Sequence, residues 1–384
     1  MFFYRYIVIY GIIGSRIVLN FEGDRKMLEQ SIKIELTNNP KQKPNDEDLS
    51  FGTVFTDHMF IMDYTEGKGW YNPRIVPYQS VTLDPAAMIF HYGQTIFEGL
   101  KAYATDDGNI NLFRPQSNFK RLNKSNERMV IPPVDETFAF TALKKLIEVE
   151  KDWVPTAEGT SLYIRPFIIS TDAYLGVAPS KNYKFMIILS PVGAYYKEGI
   201  DPVKIAVENE FVRAVFGGTG EAKTAGNYAA SLKAQEIVEA QGFTQVLWLD
   251  GVEKKYIEEV GSMNVFFKID GDIITPALTG SILHGITRDS VIKLLNHWDI
   301  PVIERKISME ELAQAHAEGR LEEAFGTGTA AVISPIGQLH WQDEAYVINE
   351  GVTGDISKRL YDTLTGIQYG NVEDPFNWIE KIGG

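Results

Sequence analysis

The sequence predicts a mixed α/β (α+β) protein of two domains, on three observations. Amphipathic helical stretches alternate with short apolar strands, and tight hairpin signals stand beside longer crossovers. Gly193, Gly199 and Pro202 punctuate the middle of a 384-residue chain that is long enough for two cores. A doubly wound sheet would be built from crossovers alone, so the hairpins argue against it. The expected division is an N-terminal extension over 1–50, a smaller α/β domain over 51–192, a connection over 193–203 and a larger α/β domain over 204–384.

Each element has a local reason. Residues 38–49 are polar and contain proline, a connecting segment. A helix is expected over 118–126. Another follows an Asp135 N-cap to about residue 153, with Phe138, Leu143, Leu146 and Ile147 on its apolar side. Residues 161–171 and 183–192 read as buried strands around a loop at 172–181. Beyond the connection, strands are expected at 203–207 and 245–249 and a helix at 228–240 closed by Gly242. Asp270-Gly271 between 266–269 and 273–275 is a hairpin signal. A helix is expected from Thr287 to about Trp298, and Ser308 with Glu311 forms a capping box for one more through Ala317.

Composition excludes several function classes. A net charge of -14 with no cluster of Lys and Arg argues against nucleic acid or an anionic membrane as the main partner. There is no cysteine, hence no disulfide framework, thiolate nucleophile or Cys-ligated metal. The six histidines are scattered without the spacing of a metal site, so no metal is expected. A cytoplasmic location suits these features. Residues 1–20 are apolar but interrupted by Arg5 and Arg16, too short and broken for a membrane span, and no signal-peptide cleavage site follows. Met27 opens a more ordinary segment, so residues 1–26 are expected to be an upstream extension without a functional role.

The most informative stretch surrounds Lys223, which lies among small residues just ahead of Asn227-Tyr228. A flat ligand can approach such a lysine, and desolvation or a nearby cation would make its amine a nucleophile by lowering its pKa from about 10.4. Two chemistries want it: a Schiff base with an aldehyde cofactor, or a phosphate contact in a nucleotide loop. Gly217, Lys223 and Thr224 fit a P-loop, but Ala222 occupies the place of its second glycine. The run 246–250 resembles a Walker B strand, yet Asp250-Gly251 also reads as a turn. Both readings stand on the loop alone.

Other stretches offer partners. Glu258 and Glu259 precede a glycine and could keep a pyridine nitrogen protonated, or could be solvated turn residues. Gly285 precedes the helix start at Ile286 and Thr287, where free N–H groups favour a phosphate. Phe325-Gly-Thr-Gly-Thr-Ala330 suits close backbone approach to a ligand or a tight turn. Arg121 is either a phosphate clamp or a surface ion-pair partner. Tyr163 and Arg165 alternate along a strand and share a face, and a buried arginine there must meet an anion.

Together these segments resemble the branched-chain amino acid aminotransferases, fold-type IV (class IV) pyridoxal-phosphate enzymes. The motifs occur in order: Phe97-Glu-Gly, Leu112-Phe-Arg-Pro, Leu162-Tyr-Ile-Arg-Pro166, Pro191-Val-Gly-Ala-Tyr195, Lys223 with Asn227-Tyr228, Glu259-Val-Gly-Ser-Met-Asn264, Gly285-Ile-Thr-Arg288 and Phe325-Gly-Thr-Gly-Thr-Ala330. The similarity runs from about residue 51 to residue 370, and a P-loop protein would carry only the lysine region.

The resemblance implies two α/β domains with pyridoxal 5′-phosphate between them and a homodimer. Lys223 would hold the cofactor as a Schiff base and then move the substrate proton. Glu259 would pair with the ring nitrogen and Tyr228 with the phenolic oxygen. Arg121, Ile286, Thr287, Thr329 and Ser262 would hold the phosphate. Tyr92, Arg165 and the main chain of Thr329 and Ala330 would hold the substrate carboxylate. Phe97, Tyr163 and Tyr195 would wall an apolar pocket, with Val177 from the partner subunit. The implied reaction moves the amino group of L-leucine, L-isoleucine or L-valine to 2-oxoglutarate. D-amino acid transaminases and aminodeoxychorismate lyases share the lysine and the glutamate; Tyr163-x-Arg165 and Ala194-Tyr195 weigh against them. Ala331 and Ser334 stand where some mammalian relatives carry a redox-active Cys-x-x-Cys pair, so thiol control is absent at this site.

Overall fold

A computed structural model describes residues 32–193 and 200–383. The first half supplies β1 (Lys33–Ile34), β2 (His58–Thr65), β3 (Gly69–Pro77), β4 (Thr95–Phe97), β5 (Leu100–Ala104), β6 (Ile110–Phe113), β7 (Ser161–Ser170) and β8 (Asn182–Val192). The second supplies β9 (Val203–Val207), β10 (Gln245–Leu249), β11 (Ile257–Val260), β12 (Asn264–Ile269), β13 (Asp272–Thr275), β14 (Val302–Glu304), β15 (Leu321–Gly328), β16 (Val332–Trp341), β17 (Glu344–Val347) and β18 (Ile379–Ile382). Two nine-stranded sheets result among the described residues. One runs β1-β3-β2-β8-β7-β5-β6-β18 with β4 beside β7, the other β11-β10-β9-β16-β15-β12-β13-β14 with β17 beside β16.

Both sheets mix antiparallel and parallel pairs, as the coexistence of hairpins and crossovers requires. The chain passes between sheets after Val192, and residues 194–199 lie outside the described part, as do residues 1–31 with the expected upstream extension. The expected division departs from the sheets at both ends. Lys33–Ile34, inside the supposed extension, pairs with β3, and β18 leaves the second half to pair antiparallel with β6.

Local signals explain most elements. Asp135 caps the helix Glu136–Val149 by accepting a 2.7 Å bond from the Phe138 N–H. Asp270 and Gly271 take φ of 52° and 81°, the mirror-image turn that an Asp-Gly hairpin favours. The capping box at Ser308 is half made. Its hydroxyl accepts from the Glu311 N–H at 3.1 Å, while the Glu311 carboxylate turns to Arg305. The helix expected over 228–240 is two, Ala225–Ala229 and Leu232–Ala240. The helix Asp355–Tyr369 adds an element beyond those expected, although Leu360, Leu364 and Ile367 fall on one face and Gly370 closes it at φ 82°.

Among the described residues the two largest cores belong one to each sheet, and a third joins the sheets. The helices Pro115–Arg128 and Glu136–Val149 cover the first sheet with Phe119, Leu122, Phe138, Leu143 and Leu146. The joining core brings Tyr103 and Phe113 of the first sheet against Phe266 and Phe325 of the second, together with Leu294 and Leu364. Phe266 and Phe325 are cross-strand neighbours with stacked rings 5.2 Å apart. This shared packing fixes the two sheets relative to each other. No described helix is long and apolar enough to cross a membrane.

Candidate active site

One face of the helix Pro115–Arg128 organises the surroundings of Lys223. Pro115 opens it at a position where the missing N–H costs nothing. Asn118, Arg121, Ser125 and Arg128 then recur at helical spacing and project a polar stripe. Asn118 donates to Glu98 Oε2 at 2.8 Å, and Arg121 grips the same carboxylate through Nε at 2.7 Å and Nη2 at 2.8 Å. Ser125 accepts from the Lys223 backbone N–H at 2.9 Å, and Arg128 donates to the carbonyls of Gly217 and Gly218 at 3.1 Å. The loop that carries Lys223 is therefore moored to this helix.

The Lys223 side chain reaches the Tyr228 hydroxyl at 2.5 Å and lies 4.7 Å from the centre of the Phe97 ring. Helical placement of Asn227-Tyr228 explains the contact, because it turns Tyr228 back towards the lysine. Asn227 fixes the loop by donating to the carbonyls of Thr219 and Ala222, both at 2.7 Å. The Phe97 backbone adds a further tie, its N–H donating to the Lys223 carbonyl at 2.9 Å.

Glu258 and Glu259 both lie on β11 and are buried, which removes the solvated-turn reading. Glu259 Oε1 accepts from the Leu283 N–H at 3.0 Å and from Asn264 Nδ2 at 3.3 Å. Its Oε2 sits 2.9 Å from Arg213 Nε, close enough for an ion pair though not in line for a hydrogen bond. Burial holds the Glu259 carboxyl above its ordinary range, with Arg213 opposing the shift. Arg213, Tyr228, Glu259 and Ser262 line one small cavity. Ser262 thus lines the same cavity as Glu259.

Arg121 spends two nitrogens on Glu98 and donates from Nη1 to the His284 carbonyl at 3.1 Å. One N–H on each terminal nitrogen remains for a ligand. His284 immediately precedes Gly285 and the helix Ile286–His297, so the guanidinium stands beside that helix start, where Ile286 and Thr287 lie. Arg114, which follows β6 of the first sheet, secures the helix through Ser290 at 2.7 Å and Asp289 at 2.5 Å.

Arg165 and Tyr163 share a face of β7 as expected, and Arg165 Nη2 donates to the Tyr163 hydroxyl at 2.9 Å. The Arg165 guanidinium lies 4.8 Å from the Phe97 ring centre, so Arg165 and Lys223 both lie against that ring. Among the described residues the Arg165 Nε is buried without a hydrogen-bond partner and no carboxylate lies within ion-pair distance. Phe51, which sequence reasoning leaves at a domain boundary, packs edge-on against Tyr163 at 4.9 Å.

Thr329, Ala330 and Ala331 form the turn between β15 and β16. Thr329 Oγ1 reaches the Gly99 carbonyl at 3.4 Å, and Lys101 Nζ donates to the Ala330 carbonyl at 2.8 Å. Val332 closes the turn at φ 62°, a strained value for a β-branched residue. Burial pushes the Lys101 ammonium down to about 8.

Two expected residues stand apart from this cluster, and a third falls outside the described residues. Among the described residues no hydrogen bond or ring contact joins Tyr92 to Lys223 or Arg165; its hydroxyl donates instead to the Leu175 carbonyl. Val177 lies on that same loop and is 86% exposed. Tyr195 lies outside the described residues. Glu98, Arg213, Asn264 and Lys101 are site residues that sequence reasoning misses. The helical spacing from Asn118 to Arg128 is the signal that could have led to Glu98. The Walker-like Asp250 proves to be a turn anchor that accepts the backbone N–H groups of Val252, Glu253, Lys255 and Tyr256.

Comparison with known proteins agrees with this geometry. The family described as "Amino-transferase class IV" matches residues 95–339. The chain is 66% identical over 356 residues to branched-chain-amino-acid aminotransferase 2 of Bacillus subtilis (strain 168), covering 93% of this chain and 98% of that protein. It is 54% identical over 352 residues to a probable branched-chain-amino-acid aminotransferase of Staphylococcus aureus (strain N315), covering 91% and 98%. Among solved structures, the Escherichia coli branched-chain amino acid aminotransferase matches with a TM-score of 0.71 at 27% identity, over 85% of this chain and 99% of that one. The Thermobaculum terrenum branched-chain amino acid aminotransferase, solved in its PLP-form (holo-form), shares the fold with a TM-score of 0.69 at 22% identity, over 85% and 98%. The chain belongs to the class IV aminotransferases. Within that family its place is among the branched-chain-amino-acid aminotransferases of fold-type IV.

Proposed function

We propose that this protein moves the amino group of L-leucine, L-isoleucine or L-valine to 2-oxoglutarate, and back, with pyridoxal 5′-phosphate bound at Lys223. The observation that carries the reading is the pairing of an amine with an unmatched cation. Lys223 Nζ touches Tyr228 and Phe97, and against the same Phe97 ring the buried Arg165 Nε awaits an anion. An amino acid brings that anion as its carboxylate and meets the lysine with its amine end.

The donor set suits the cofactor. Glu259 would face the ring nitrogen, Tyr228 the phenolic oxygen, and Arg121, Thr329 and the N–H groups of Ile286 and Thr287 the phosphate, with Ser262 at the carboxylate end. When bound, pyridoxal phosphate supplies the carbonyl that takes up the amine and the ring that spreads the developing negative charge. The chain's own residues do the rest. Lys223 Nζ carries the proton to and from the substrate Cα, and the Tyr228 hydroxyl holds that amine in place. Arg165, Tyr163 and the Thr329-Ala330 main chain orient the carboxylate. Phe97, Tyr163 and Phe51, with Tyr195 in the adjoining segment, would exclude water around a branched apolar side chain.

In this reading the protein is a cytoplasmic homodimer. Phe90, Tyr92, Tyr174, Leu175 and Val177 are exposed, and Tyr92 is bonded to the loop that carries Val177. Each protomer would lend Tyr92 and Val177 together to its partner's cavity.

The visible spectrum tests the assignment. Reconstituted protein should be yellow, lose that band on addition of L-leucine and regain it with 2-oxoglutarate, and Lys223→Ala should do neither. A yellow protein indifferent to L-leucine would move the activity to a D-amino acid transaminase or a lyase of the same fold.

A further inference from the structure

The segment from Ser281 to Gly285 runs from beside Glu258 and Glu259 to the start of the helix Ile286–His297, and side chains of the site hold it along its length. Arg213 donates to the Ser281 carbonyl. Glu259 takes the Leu283 N–H at 3.0 Å, Asn264 donates to the Leu283 carbonyl at 3.0 Å, and Arg121 donates to the His284 carbonyl at 3.1 Å. Asn264 spans the most. Its Nδ2 divides two hydrogens between Leu283 O and Glu259 Oε1, while its Oδ1 fills the place where a side chain at Gly285 would go, 2.0 Å from that Cβ position. Asn264 is 5% exposed and opens β12, whose pairing with β15 at Thr327 holds it rigidly.

We propose that Asn264 is a positioning residue that ties Glu259 to the start of the helix Ile286–His297, so the ring-nitrogen end and the phosphate end of the cofactor site are set as one unit. The planar amide suits this task, since its two donors and one acceptor point in fixed directions. Glu259 cannot shift without moving Leu283, and Leu283 cannot shift without moving the helix start. The inference rests on the proposed cofactor.

The test follows both ends at once in the holoenzyme. The pH titration of the visible band reports the ring end, and the phosphorus NMR shift of the bound cofactor reports the phosphate end. Asn264→Ala should move both signals and speed cofactor dissociation about tenfold, the order expected for stranding buried hydrogen-bonding groups. Asn264→Asp, which keeps the shape but loses both donors, should move both the same way; it carries the test if Asn264→Ala does not fold. Gly285→Ala places a methyl against Asn264 Oδ1 and should weaken cofactor binding in the wild-type background. In the Asn264→Ala background it should add nothing. A variant at 264 that moves one signal and leaves the other unchanged overturns the coupling, as does an additive double variant. Wild-type protein that binds no pyridoxal phosphate removes the cofactor reading, and this inference with it, so the two failures are told apart.

Discussion

Arg121 and Arg165 both belong to the cluster around Lys223 and Phe97, and they end differently. Arg121 meets the fully buried Glu98 through two nitrogens, and Asn118 and the Gly99 N–H complete the shell around that carboxylate. Arg165 has a tyrosine hydroxyl, a ring face and an Nε with no partner. Burying a charge without a counter-ion costs far more than burying a matched pair. The difference teaches which cation belongs to the framework and which is left for a ligand to neutralise. Lys101 and Lys223 side with Arg165, each bonded to a neutral oxygen and to no carboxylate among the described residues.

The comparison can be broken by experiment, beginning with its largest effect. Lys223→Ala should lower transamination by at least about a thousandfold with the melting temperature nearly unchanged, because no ion pair is broken. Glu98→Gln should act the other way round. Stranding Arg121 should cost about 3–5 kcal/mol in a urea unfolding curve, and an unfolding curve like that of the wild type would dissolve the distinction. Arg165→Gln should lower kcat/KM for L-leucine by roughly a hundredfold while leaving stability equal or slightly higher. A loss of stability as large as that of Glu98→Gln would mean that Arg165 is framework after all.

The smallest effect concerns pH. Lys101 has its pKa lowered from 10.5 to about 8 in the folded protein, so between those values the unfolded chain binds more protons. The buried charge therefore costs stability below about pH 8, and the cost is relieved as pH rises towards 10.5. Relative to Lys101→Met, the wild type should gain about 1–3 kcal/mol over that window. Paired unfolding curves at about pH 7.5 and about pH 10 measure it, and parallel behaviour of the two proteins would show that the ammonium is solvated.

Legibility in the sequence follows the range of the interaction. Asp135, Ser308 and the Asp270-Gly271 turn act within a few residues, and their local chemistry predicts local structure. Tyr163 and Arg165 share a face because strands alternate, and Lys223 stands out through the small residues around it. Glu98 does not stand out, since its meaning depends on Arg121 and Asn118 arriving from a helix. Arg213 and Asn264 are likewise ordinary polar residues until folding brings Glu259 between them. The break between Ala229 and Leu232 lies in a run of good helix formers and carries no strong signal. Tyr92 is placed with the lysine cluster only by the family resemblance, whereas its hydroxyl bond ties it to the loop that carries Leu175.

The pairing of β18 with β6 has a consequence for how the molecule is made. Ile379–Ile382 meets Ile110–Phe113 only after nearly all of the intervening chain exists. During synthesis the first sheet is the earliest to begin and among the last to be completed. Until then the β6 edge stays uncovered on the ribosome, a ready template for pairing with another nascent chain. Its strand is short, with Asn111 buried and committed to the Gln368 carbonyl once folding ends, which limits what an intruding strand could gain.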